Sequence, residues 1–137
     1  MVFMRFHASR RASGFTLIEL MVVMALISVL AGMGVILYRN SITSSREAVL
    51  KTDLFRMRDA IDQYYADKGK YPADLQALVT DGYLRDVPLD PFTDTRDSWQ
   101  TIPAEPDPAN PSAEVGIYDV KSGAEGTAID GTKYNEW

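Results

Sequence analysis

The chain has 137 residues, enough for one domain and a membrane segment but too few for two full domains. It holds no cysteine, and its single histidine is His7, so a histidine base and His or Cys metal ligands are excluded beyond that position. Fourteen Lys and Arg stand against nineteen Asp and Glu, and three of the fourteen (Arg5, Arg10 and Arg11) precede Gly14, leaving eleven. So acidic a balance opposes the phosphate contacts on which nucleic-acid binding depends, and nucleic acid is not expected as a partner.

Residues 1–14 form a basic leader without an acid. Residues 15–38 are almost wholly apolar, longer than the roughly 20 residues with which a helix crosses the hydrocarbon core. The leader arginines place the N-terminus in the cytoplasm by the positive-inside bias, and everything after Tyr38 outside the inner membrane. A secretory signal has a shorter apolar core ending in a small-x-small cleavage site. A plain anchor gains nothing from Glu19, because an acid inside a membrane span costs roughly 3 kcal/mol on insertion scales. Glu19 is therefore a functional residue.

Beyond Tyr38 the pattern turns amphipathic. Leu50, Leu54, Met57, Ile61 and Tyr64 or Tyr65 recur at steps of three and four, which marks one helical face. No breaker lies between Gly34 and Gly69, so one helix of about 80 Å is expected over residues 15–68. Its apolar stripe reads as ordinary core and not as a cofactor box. A short helix is expected over 73–81, with Leu75, Leu78 and Val79 inward and Gly82 stopping it. Four prolines make 103–112 an exposed loop, and strands are expected on either side of it, at 98–102 and 114–120, with Val115 and Ile117 alternating in the second. The tail, 122–137, is glycine-rich, and Trp137 is expected to close the core. The fold class is α+β: a long N-terminal helix on a small head with a short helix and a small antiparallel sheet. Three parts follow: a leader 1–14, a transmembrane half-helix 15–38 and a periplasmic head 39–137.

The stretch Gly14-Phe15-Thr16-Leu17-Ile18-Glu19-Leu20, with Arg10 and Arg11 upstream, resembles the class III signal of type IV prepilins and pseudopilins. That resemblance implies a prepilin peptidase that cuts after Gly14 and methylates Phe15. It also implies that Glu19 pairs with the N-terminal amine of a neighbouring subunit and so sets axial register. Lys70-Tyr71-Pro72, Gly82-Tyr83-Leu84, 88–92, 116–122 and Trp137 are similar to landmarks of the major pseudopilins of type II secretion. The chain departs from that pattern in lacking the Gly and Pro-Tyr residues after the Asp-Pro-aromatic turn, and in a shorter C-terminal loop. Where many relatives carry a proline late in the membrane helix, Ile36 stands here, with Gly32 and Gly34 nearby.

The implied function is structural and not enzymatic: a pseudopilus subunit, polymerising to drive export across the outer membrane. The implied partners are further copies of the chain, the peptidase, an inner-membrane assembly platform, and other pseudopilins or minor pilins. A type IV pilin for adhesion or motility is the alternative, and a tethered binding module that never polymerises is a remote one. Asp119 and Glu125 are carboxylates able in principle to do acid–base work, but acids are scattered through every loop and no catalytic residue is expected. The resemblance further implies a calcium ion in the last loop, for which Glu125, Asp130 and Thr132 are the nearest matches. A solvated turn packed under Trp137 is the competing reading of that loop.

Overall fold

The computed structural model describes residues 13–137. The leader arginines Arg5, Arg10 and Arg11 lie outside the described residues. In chain order the elements are helix α1 (Leu17–Lys68), helix α2 (Leu75–Thr80), strand β1 (Gln100–Pro103), strand β2 (Ile117–Lys121) and a single 3-10 turn (Tyr134–Glu136).

Helix α1 begins at Leu17 because Thr16 caps it. The Thr16 hydroxyl accepts the Glu19 backbone N–H at 3.2 Å, and the Thr16 carbonyl accepts that of Leu20 at 3.2 Å. A threonine three residues before a glutamate is the capping-box spacing, which fixes a helix start. The other end closes at Gly69, whose φ of 68° is left-handed and whose N–H donates to the Tyr65 carbonyl at 2.8 Å. Between these ends the helix passes Gly32 and Gly34 without a break.

The chain divides into two units, one up to Arg39 and one over Asn40–Trp137. In the first, every described residue is exposed, Phe15 at 85% and Ile36 at 63% among them. This is an apolar surface that no other described residue covers.

The second unit has its own core. Leu50, Leu54, Met57, Ile61 and Tyr64 form the buried face of α1, as the three- and four-residue spacing predicts. Against it pack Leu78, Val87, Trp99, Ile117, Val120, Ala124, Ala128 and Tyr134. Of the two tyrosines left open by the sequence, Tyr64 is the core residue. Tyr65 is exposed and stacks on Tyr71 at 4.4 Å between centroids.

Helix α2 is shorter than the expected 73–81. Asp74 is extended (φ −153°, ψ 174°) and caps the helix through a 2.7 Å bond from the Ala77 N–H. Leu78 is buried, while Leu75 and Val79 are partly buried against the core. Gly82, with φ 81°, lets the chain reverse so that the N–H groups of Tyr83 and Leu84 both reach the Leu78 carbonyl.

The sheet is a two-stranded antiparallel pair with Thr101 opposite Val120, and its register is disturbed between Ile102 and Pro103. Both strands start later than expected. Trp99 turns into the core and its indole N–H donates to the Pro88 carbonyl at 2.8 Å. Gly116 lies so close to Tyr71 that an added Cβ would sit 2.6 Å from Tyr71 Cβ. The ladder therefore begins at Ile117, which is buried, and Val115 is left outside it and exposed. So small a sheet is marginal alone. It is pinned to α1 by Arg58, whose Nε donates to Asp119 Oδ1 at 2.7 Å and whose Nη2 donates to the Val120 carbonyl at 3.0 Å. The turn at 90–92 is held by buried Asp90, which accepts from the Phe92 N–H at 2.8 Å and the Ser122 hydroxyl at 2.6 Å.

Candidate functional site

Gly14 and Phe15, the expected cleavage pair, lie just before the capped start of α1 and are exposed. Among the described residues, no atom beyond the neighbours comes within 4 Å of where a Gly14 Cβ would stand. Glu19 falls in the first turn of α1, where a carboxylate is favoured by the positive end of the helix dipole. That dipole gives the Glu19 carboxylate a local structural reason beside the expected role in register. The sequence carried that signal in Thr16-x-x-Glu19.

The third place is the segment 122–137. Asp130 and Thr132 come together here. Asp130 Oδ1 accepts from the Thr132 N–H at 2.9 Å and from the Thr132 hydroxyl at 2.6 Å. The Thr132 oxygen in turn accepts the Trp137 indole N–H at 2.7 Å. These bonds hold the Asp130 carboxyl below the usual range, the Thr132 hydroxyl contributing most, and the Lys51 charge adds to the effect. Glu125 is exposed and shares no hydrogen bond with either residue.

Two residues of α1 that sequence reasoning missed hold this segment. Glu47 Oε1 accepts from the Ile129 N–H at 2.9 Å and from the Tyr134 hydroxyl at 3.0 Å. Burial, together with that bond to Glu47, pushes the Tyr134 hydroxyl up to about 12. Tyr134 stacks on Phe92 at 4.0 Å and meets Trp137 edge to face at 5.3 Å, so Tyr134 is the buried aromatic and Trp137 the outer cover. One turn along the helix, the Lys51 ammonium lies 4.3 Å from the Trp137 ring centroid. Glu47 and Lys51 stand four apart beside the core stripe, a spacing that reads in sequence as a solvated helix pair.

The residues fit calcium poorly. Calcium takes six to eight oxygens, yet Asp130 Oδ1 and the Thr132 hydroxyl oxygen already serve each other and Trp137. Among the described residues no three or more His, Cys, Asp or Glu side chains gather as a metal-binding group. Of the acids considered for catalysis, Asp119 is committed to Arg58 and the Val120 N–H.

Residues 9–35 match the prokaryotic N-terminal methylation motif, which spans Gly14, Phe15 and Glu19. Over 99 residues the chain is 34% identical to the type II secretion system core protein G of Pseudomonas aeruginosa, an overlap of 61% of this chain and 70% of that protein. The chain belongs to the core protein G family. The core protein G of Klebsiella pneumoniae is similar in the same degree, 36% identical over 100 residues, with 61% of this chain and 71% of that protein covered. Fimbrial protein EcpC of Eikenella corrodens is 35% identical over 79 residues, covering 54% of this chain and 52% of its own. No solved structure matches the chain. As a core protein G relative with an N-methylation motif and one helix long and apolar enough to cross a membrane, it is a membrane-anchored, prepilin-type pseudopilin.

Proposed function

We propose that this chain is a structural subunit that polymerises into a type II secretion pseudopilus and, by growing, drives proteins across the outer membrane. The observation that carries this reading is the uncovered apolar half of α1 with a carboxylate, Glu19, in its first turn, in a chain of the core protein G family. Such a surface is stable only in lipid or against other helices. A filament of identical helices supplies the second environment when a subunit leaves the first.

In this reading the chain is held in the inner membrane with its N-terminus cytoplasmic and residues 39–137 periplasmic. A prepilin peptidase cuts between Gly14 and Phe15 and methylates the Phe15 amine. An inner-membrane platform then delivers the subunit to a filament shared with other pseudopilins. Glu19 pairs with the amine of a neighbour. A buried ion pair stabilises little but enforces register, since a carboxylate left unpaired in an apolar bundle costs about 3–5 kcal/mol. The role is structural and not catalytic. The likeness to a fimbrial protein supports a second reading, a type IV pilin for adhesion or motility.

Two variants separate the size of the Glu19 side chain from its charge. The Thr16 cap uses only the Glu19 backbone N–H, so Glu19→Gln keeps the helix start and the side-chain shape and loses only the pair. We expect Glu19→Gln to insert into the membrane normally and to fail in filament assembly as fully as Glu19→Ala. Cross-linking ladders equal to wild type in Glu19→Gln would remove the register role. Deleting the gene should trap exported proteins in the periplasm, whereas normal export with lost twitching would favour the pilin reading.

A further inference from the structure

We propose that a clasp of side chains centred on Lys51, and not a bound calcium ion, holds the 122–137 segment of this chain to helix α1. The clasp has two arms, both anchored on the helix. Glu47 takes the Ile129 N–H and the Tyr134 hydroxyl. Lys51 covers the Trp137 ring, and Trp137 continues through its indole N–H to Thr132 and from there to Asp130.

A divalent cation is one way to place positive charge beside a loop carboxylate. Here the helix brings its own. The Lys51 ammonium sits over the Trp137 ring, 4.3 Å from its centroid, and its charge favours the ionised form of Asp130. An ion at Asp130 would find Oδ1 already taken by the Thr132 hydroxyl at 2.6 Å and would face the Lys51 charge of the same sign. Glu125, the carboxylate needed to offset that repulsion, takes no part in the chain of bonds. A tethered cation also behaves differently from a bound one. Stabilisation by a ligand grows with its free concentration, while that from a lysine on the same chain has no such dependence.

The test uses the full-length chain in detergent micelles, with calcium chloride at about 1 mM, in the range where extracellular calcium modules fill, or with chelator. Thermal melting followed by tryptophan fluorescence should give overlapping curves in the two conditions. Hydrogen exchange of the amides at 127–137 should be equally slow in both. Lys51→Met should speed that exchange by about threefold or more, the size expected for a lost cation–π contact, and leave amides at 54–64 unchanged. Lys51→Arg, which keeps the charge over the ring, should exchange as wild type does. A melting curve of the wild-type chain that rises with calcium, or exchange at 127–137 that calcium slows, would overturn the proposal without reference to any variant. Exchange in Lys51→Met equal to wild type would overturn the part given to Lys51.

Discussion

Asp53 is only 9% exposed, on the side of α1 that faces Asp90. Burial raises its pKa above the ordinary 3.8, Arg56 lowers it, and the Asp90 charge raises it further. A carboxyl whose folded value is raised favours the protonated fold, so its contribution is fully present below the unfolded value and is lost as pH rises through the folded one. At neutral pH Asp53 is thus a cost. Asp53→Asn, which removes the charge and keeps the shape, should raise the melting temperature at neutral pH. The gain should shrink to nothing as the pH falls below 3.8, where wild-type Asp53 is itself neutral. A melting temperature lower than wild type at neutral pH would show that the charge is needed.

Among the elements, α2 has only six residues and depends on its ends. The Asp74 carboxylate takes one N–H that would otherwise be unpaired. Asp74→Ala should cost about 1 kcal/mol, read from denaturant melts, and should loosen Leu78 in the core. Helices were the part of the fold most legible in the sequence. Their periodicity is local, so Leu50, Leu54, Met57 and Ile61 could be read as one face before any contact was known, while the choice between Tyr64 and Tyr65 took the packing to decide. Strand edges were less so, because they are set by distant contacts. No local pattern announces that Gly116 must lie flat against Tyr71, or that Trp99 turns inward to meet Pro88. For the processing signal, the sequence displayed Gly14, Phe15 and Glu19 in one short motif. For the last loop it offered Asp130, Thr132 and Trp137 but hid Glu47 and Lys51, whose partners lie more than eighty residues away.

At the scale of the molecule, the units differ in what they bury. The unit over Asn40–Trp137 encloses Leu50, Met57, Ile61, Leu78 and Val120 fully, and none of the described residues up to Arg39 is buried. A fragment beginning at Asn40 should therefore be soluble without detergent and should melt in one cooperative step. A fragment that stays unfolded would show that the head borrows stability from the membrane half.

The bonds from Glu47 span 82 and 87 residues of chain, to Ile129 and Tyr134. Joining points so far apart requires closing a long loop before any contact rewards it, and long-range contacts of this kind form late in folding. Interactions absent from the transition state act on the rate of unfolding and hardly on that of folding. The clasp is then a brake on opening and no guide to the fold. Tyr134→Phe should steepen nothing and slow nothing on the refolding side of a chevron plot, while the unfolding limb moves to faster rates throughout. What Glu47 and Tyr134 give a subunit is time: a head that, once closed, stays closed for longer than its equilibrium stability alone would set.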